Sequence, residues 1–206
     1  MNTIVKKIFF FAGFLVLLFS HNYALAQFPV HLGGFILGDD ITNYKELVNM
    51  ETCRQVPFNR YLKEGEITPR PEFKSGLITY GLCDRPNKIL KIKLKFADSS
   101  KKNYKKLLKR YEQQLGEPSE YKGDAFRTMI AWKWSFTNNN NERISLILQY
   151  NEMNDDEKIG VVVKLTLTSQ IEKERACFMA DSSGKKKKPE KSKLKGKALW
   201  DLLVPY

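Results

Sequence analysis

Apolar residues and lysines alternate along residues 88–97. Leu90, Ile92, Leu94 and Phe96 fall on one side, and Lys91, Lys93 and Lys95 on the other. Strict alternation of this kind predicts a strand with one face on a core and the other in water. The same period of two recurs three times further on. Ile130, Trp132, Trp134 and Phe136 share a face in 127–136; Ile144, Leu146, Leu148 and Tyr150 in 143–150; and Ile159, Val161, Val163, Leu165 and Leu167 in 158–168. The connections 137–142 and 151–157 are rich in Asn and acids, as hairpin turns are. Two further strands are expected at 54–61 and 72–82, the first an edge strand or no strand because of Pro57.

A period near 3.6 marks the helices. Tyr104, Leu107, Leu108, Tyr111 and Leu115 form one stripe over 101–115, with Asp98, Ser99 and Ser100 as capping oxygens and Gly116 and Pro118 as the stop. Asp39 and Asp40 cap a second expected helix at 41–50, whose apolar positions are Ile41, Tyr44, Leu47 and Val48. The segment 171–180 allows a third, short one. The order is therefore helix–strand–strand–strand, twice. The predicted class is α+β: two tandem units, 27–98 and 99–180, with antiparallel sheets and helices on one face.

The 206 residues suffice for one or two small domains, and 42% hydrophobic residues can fill a core. The first 26 residues read as a signal peptide. Lys6 and Lys7 precede an apolar run of about 12 residues, too short for the roughly 20 that span a bilayer as a helix. Ala24-Leu25-Ala26 is a small-x-small site, so cleavage is expected before Gln27, without a lipid-anchor Cys. The mature chain is then exported, periplasmic or secreted, and is not an integral membrane protein. Its net charge falls from +12 to +10, because two Lys and no acid leave.

Export to an oxidising compartment favours paired thiols. Cys53 and Cys83 lie 30 residues apart in one unit, and a disulfide between them is the expected bridge. Cys177 is then a free or buried thiol, although spacing leaves the other pairings open. The segment 181–206 carries lysines at 185–188, 191, 193, 195 and 197 and ends in an apolar run containing Trp200, Leu202, Leu203 and Tyr206. Like charge at that density predicts a disordered basic tail. The tail is a linker, a polybasic membrane tether or a docking peptide. The terminal apolar run favours the peptide, with Trp200, Leu202, Leu203 and Tyr206 as anchors.

Little in the chain points to catalysis. His31 is the only histidine left after cleavage, and no Gly-x-Ser-x-Gly element accompanies it. Asp124 is a lone acid, expected to organise a turn. Asp155-Asp156-Glu157 lacks the spacing and glycine of a calcium loop and is expected to be a solvated turn. The aromatics Trp132, Trp134 and Phe136 are expected in the core. No cofactor, metal or catalytic residue is expected. The Lys91, Lys93, Lys95 stripe is either a solvated face that guards a strand edge or a surface for an anionic partner.

Gly38-Asp39-Asp40-Ile41 at the start of a short helix and Leu115-Gly116-Glu117-Pro118 at the end of another resemble the marks of small exported helix-plus-antiparallel-sheet modules. These are the outer-membrane assembly lipoproteins of the SmpA type and the β-lactamase-inhibitor-like proteins. The resemblance rests on those short segments and carries no functional residue across. The missing lipobox Cys departs from the SmpA type, so no outer-membrane anchor is implied. The resemblance implies a non-enzymatic protein that binds other proteins. The expected function is that of an exported binding protein, its partner an unidentified envelope protein. Its alternatives are a binder of anionic envelope polymer or membrane surface, and an enzyme of unrecognised type. Nucleic acid is not an expected partner, because the signal sends the chain out of the cytoplasm.

Overall fold

The computed structural model describes residues 28–151 and 160–183. The signal segment with Ala24, Ala26 and Gln27, the Asp155–Glu157 turn, and the tail with Trp200, Leu202, Leu203 and Tyr206 lie outside the described residues.

The architecture is α+β, built on one eight-stranded antiparallel sheet and a separate two-stranded ribbon. The ribbon is β1 (His31–Leu32) and β2 (Phe35–Ile36). The sheet contains β3 (Val48–Val56), β4 (Asn59–Ile67), β5 (Phe73–Gly81), β6 (Ile89–Phe96), β7 (Glu120–Tyr121), β8 (Met129–Thr137), β9 (Arg143–Asn151) and β10 (Gly160–Leu167). Helix α1 (Lys101–Leu115) connects β6 to β7, and helix α2 (Thr168–Ser183) follows β10 directly. The spatial order is β3-β4-β5-β6-β10-β9-β8-β7. Each half of the chain therefore enters the sheet at an edge and winds inward, and the halves join where β6 pairs with β10.

The strong patterns appear where their periods place them. Helix α1 has the predicted bounds. The Ser100 side chain accepts from the Asn103 N–H at its start, and Gly116, at φ 80°, turns the chain at its end. Strands β8, β9 and β10 match their segments to within two residues. The β8–β9 turn is organised by Asn138, whose Oδ1 accepts from the N–H groups of Asn140 and Glu142.

The first half differs from the reading. Only Ile41–Tyr44 is helical, as a 3-10 turn, and β3 begins at Val48. Asp40 does cap that turn, accepting from Thr42 N. The apolar spacing over 41–50 was that of a turn leading into a strand: Ile41, Tyr44 and Val48 all reach the core without a continuous helix. Four strands follow instead of three, so the twice-repeated helix–strand–strand–strand order is met only in part. The strand expected at 54–61 is instead the corner of a hairpin: β3 ends at Val56, β4 begins at Asn59, and Pro57 lies in the turn between them rather than in an edge strand. Pro57 and Phe58 make the turn into β4, with Phe58 at φ 64°.

One face of the sheet carries the core. Ile78, Ile92, Leu94, Leu148, Val163 and Leu165 are buried there. Both helices pack on it. On α1, Tyr104 stacks on Tyr150 at 5.4 Å and Tyr111 meets Trp134 edge-on at 6.0 Å. Gly76 faces Leu94 across β5 and β6. A Cβ there would sit 2.7 Å from the Lys93 carbonyl oxygen and 2.8 Å from Leu94 Cδ2. The backbone oxygen cannot retreat without breaking the ladder. Gly76→Ala is therefore expected to cost about 1–3 kcal/mol, read by chemical denaturation; a loss below 0.5 kcal/mol would show that β5 shifts freely.

The disulfide pairing is a correction. Cys83 bonds Cys177, and Cys53 is free. Closeness in sequence misled. Cys53 on edge strand β3 lies against Gly65, whereas Cys83 sits in the β5–β6 connection, to which α2 brings Cys177.

Candidate functional site

Opposite the helices, the sheet presents an open face, and its composition follows from register. Asn49, Glu66, Leu77, Lys93, Lys164, Ile147, Lys133 and Glu120 are successive partners across all eight strands. Beside that row runs Glu64, Thr79, Lys91, Thr166, Ser145 and Ser135. On the other side run Ser75, Lys95, Val162, Gln149 and Ala131.

The alternation in β6 sends Ile92 and Leu94 to the core, and so must send Lys91, Lys93 and Lys95 to the open face. Because β6 pairs on both sides, this stripe guards no edge. It meets Lys164 of β10 directly across the ladder. Four lysines thus gather at the middle of one sheet face, and each is half-buried. Lys164 was missed by the sequence reading. Its signal was a single charge inside the apolar run Val161-Val162-Val163-Lys164-Leu165, which is affordable only if that side of the strand is not core.

Burial, and then the charge of Lys93, hold the Lys91 ammonium below the ordinary lysine value, with Glu64 acting in the opposite direction. Burial, then Lys93 and Lys91, lower Lys164 in the same way. Lys164 Nζ donates to Gln149 Oε1 at 3.0 Å. Among the described residues, Lys91, Lys93 and Lys164 form no ion pair. The acids at the rim are partly spent: Arg54 lies 3.4 Å from Glu64 and 3.5 Å from Glu66.

Toward the β3 edge the face deepens into a cleft of about 1040 Å³. Its cations are Lys45, Arg54, Lys74, Lys93 and Lys95, its acids Glu51 and Glu66, and its apolar groups include Met50, Leu77 and Val162.

The remaining candidates are placed elsewhere. His31 is exposed on β1. Asp124 accepts from Thr128 Oγ1 at 2.5 Å, Met129 N at 2.6 Å and Thr128 N at 3.0 Å, and these bonds, the Thr128 hydroxyl first, hold its carboxyl below the usual range. It organises the turn before β8. Trp134 is buried and donates from Nε1 to the Gly116 carbonyl at 2.8 Å. Trp132 packs against Tyr121 at 5.0 Å.

A second site escaped the sequence reading entirely. Glu174 on α2 is fully buried. Its Oε2 accepts from the N–H groups of Leu82, Cys83 and Asp84 at 2.7–3.2 Å, and its Oε1 from Arg85 N at 2.6 Å. Gln170 Nε2, one turn earlier, donates to Asp84 Oδ2 at 2.5 Å. Cys177 completes the same helix face with the disulfide. The only signal was the i, i+4, i+7 spacing of Gln170, Glu174 and Cys177, which needs the folded partner loop to acquire meaning.

Among the described residues no group of three or more His, Cys, Asp or Glu is arranged to hold a metal ion. No described helix is long and apolar enough to cross a membrane. Comparison with protein families, with curated proteins and with solved structures finds no match.

Proposed function

We propose that this chain is an exported, non-enzymatic binding protein of the cell envelope, and that the open sheet face receives an acidic surface of a partner protein. The observation that carries the reading is the cluster of Lys91, Lys93, Lys95 and Lys164 at the centre of that face. Half-buried like charges weaken one another in the free protein. An opposing acidic surface removes that cost, and so gains both affinity and register. Export is supported by the sequence of residues 1–26 and by the Cys83–Cys177 disulfide.

A second reading, binding to an anionic polymer or membrane surface, is favoured by the eight lysines between 185 and 197. Salt separates the two. A contact made by charge alone collapses as screening shortens to about 3 Å near 1 M salt, whereas one with apolar anchors persists.

The test compares crosslinked capture from native envelope by the intact protein and by Lys164→Glu, Lys91→Glu and Lys109→Glu, the last on the exposed side of α1. The expected result is loss of one specific partner with the first two and retention with the third. Equal capture by all four sinks the open-face reading. Conversion of a substrate by the purified protein, abolished by His31→Ala or Asp124→Asn, would overturn its non-enzymatic part.

A stability measurement accompanies it. Lys91 and Lys164 titrate lower in the folded chain than in the unfolded one, so the unfolded chain holds more protons as pH rises toward the ordinary lysine value of about 10.4. Stability contributed by these groups therefore increases with pH over that alkaline approach. Lys164→Met is expected to flatten this rise and to leave the melting temperature at neutral pH no lower than in the natural protein. A clear fall in melting temperature would mean that Lys164 is structural rather than held for a partner.

A further inference from the structure

We infer that the cleft at the β3 edge of the open face takes an extended peptide segment whose sheet-facing positions, every second residue, carry carboxylates interspersed with apolar side chains. The inference rests on the open-face reading above and names the chemistry of its partner.

The cleft is made by an irregularity in β3. Between Asn49 and Arg54 this strand advances five residues while β4 advances only two, from Glu66 to Glu64. Residues 50–53 are thereby pushed out of the ladder. The bulge is held in place by its own bonds. Thr52 Oγ1 donates to the Asn49 carbonyl at 2.7 Å and accepts from Glu66 N at 2.9 Å, and Glu51 N donates to Asn49 Oδ1 at 3.1 Å. Such bulges re-aim side chains at sheet edges. Here the result is a preformed rim, whose shape a ligand does not have to induce.

The lining sets the class of occupant. Lys74, Lys93 and Lys95 are cations of the lining beside Lys45 and Arg54, half-buried Met50 and Leu77 offer apolar contact, and buried Val162 closes the floor. A uniform polyanion would place charge against those apolar groups and against Glu51. An extended ligand that places acid and hydrocarbon in turn at its sheet-facing positions, every second residue, satisfies both sets. Its length follows from the sheet. From Met50 on β3 to Val162 on β10 the cleft crosses five strands, which is about 19 Å at the usual interstrand spacing, or about six residues of extended chain.

The experiment is a fluorescence-anisotropy titration of the intact protein with a labelled, end-capped heptapeptide, Asp-Ser-Leu-Ser-Asp-Ser-Leu, in which aspartate and leucine alternate along one face of the extended chain. Its Asn–Leu analogue and inorganic polyphosphate serve as competitors. Saturable binding of the Asp–Leu peptide is expected, at least tenfold weaker in Lys93→Glu and in Lys74→Glu and within twofold of the natural protein in Lys109→Glu. The Asn–Leu peptide should bind at least tenfold more weakly. Lys74 is exposed, so its variant remains informative if Lys93→Glu fails to fold. No binding of the Asp–Leu peptide, or equal weakening by Lys109→Glu, overturns the inference. So does polyphosphate that competes as well as the peptide itself, which would make the cleft a general anion site, and so does a concentration-dependent dimer in sedimentation that Lys93→Glu dissociates, which would make the occupant a second copy of the chain. If the peptide fails while envelope capture still depends on Lys164, only this inference falls; if capture is also unaffected by Lys164→Glu, the open-face reading falls with it.

Discussion

Glu174→Ala should lower the stability of this protein by about 3–5 kcal/mol, among the largest effects any single side chain here can produce. The carboxylate is fully buried and accepts four backbone N–H groups from residues 82–85. Alanine removes every acceptor at once and leaves buried donors without partners, each costing about 1–3 kcal/mol before the loop relaxes toward water. For a domain of this size the loss corresponds to a fall of about 10 °C in melting temperature. Glu174→Gln should fall between the two, since it keeps one oxygen but turns an amide N–H₂ toward other donors. Amide exchange supplies the independent reading. Residues 82–85 should lose protection in Glu174→Ala while the β9–β10 ladder keeps it. A melting point within 2 °C of the natural protein would show that the loop finds other acceptors, and that the helix is held by the disulfide alone.

Loss of the Cys83–Cys177 bridge should be nearly as costly. The two cysteines are 94 residues apart. By chain entropy alone, a cross-link closing about 100 residues is worth about 4–5 kcal/mol. Cys177→Ser is therefore expected to lower stability by several kcal/mol, and reduction of the natural protein should do the same, whereas Cys53→Ser should change little. Peptide mapping without reduction should recover the Cys83–Cys177 pair. Recovery of a Cys53–Cys83 peptide instead would overturn the placement of α2. The bridge and Glu174 secure the same loop from the same helix face, so their losses should not add. In the double variant the second loss should be smaller than when made alone, because the loop is already released.

Both effects concern a contact that no local pattern announces. Residue 83 lies in the connection between β5 and β6, and residues 174 and 177 lie on the last described helix. The i, i+4, i+7 spacing of Gln170, Glu174 and Cys177 is visible in the chain, but it reads equally as an unremarkable helix face in water. Pairing Cys53 with Cys83 followed from nearness in sequence, and nearness in sequence is a weak guide when a long helix carries a third cysteine across the molecule. The short helix expected at 41–50 failed for a related reason. Ile41, Tyr44, Leu47 and Val48 satisfy a helical spacing, yet tertiary packing buries Ile41, Tyr44 and Val48 from a 3-10 turn and a strand. Over so few residues the two periods cannot be told apart.

What was legible without the fold was everything set by local sterics and by the two periods of burial. Helix 101–115 with a cap among Asp98, Ser99 and Ser100 and its Gly116 stop, three strands to within two residues of 129–137, 143–151 and 160–167, an Asn-rich turn over 137–142, and the separation of Leu90, Ile92 and Leu94 from Lys91, Lys93 and Lys95 all belong there. Alternation in one strand determines that two faces differ, because successive side chains must point in opposite directions. It does not determine what lies beside that strand. Only the tertiary structure decided that β6 is central rather than an edge, that Lys164 of β10 faces Lys93, that a bulge in β3 deepens this face into a cleft, and that Glu174 reaches the loop at 82–85. Each depends on pairing between segments tens of residues apart, where register, not propensity, brings side chains together.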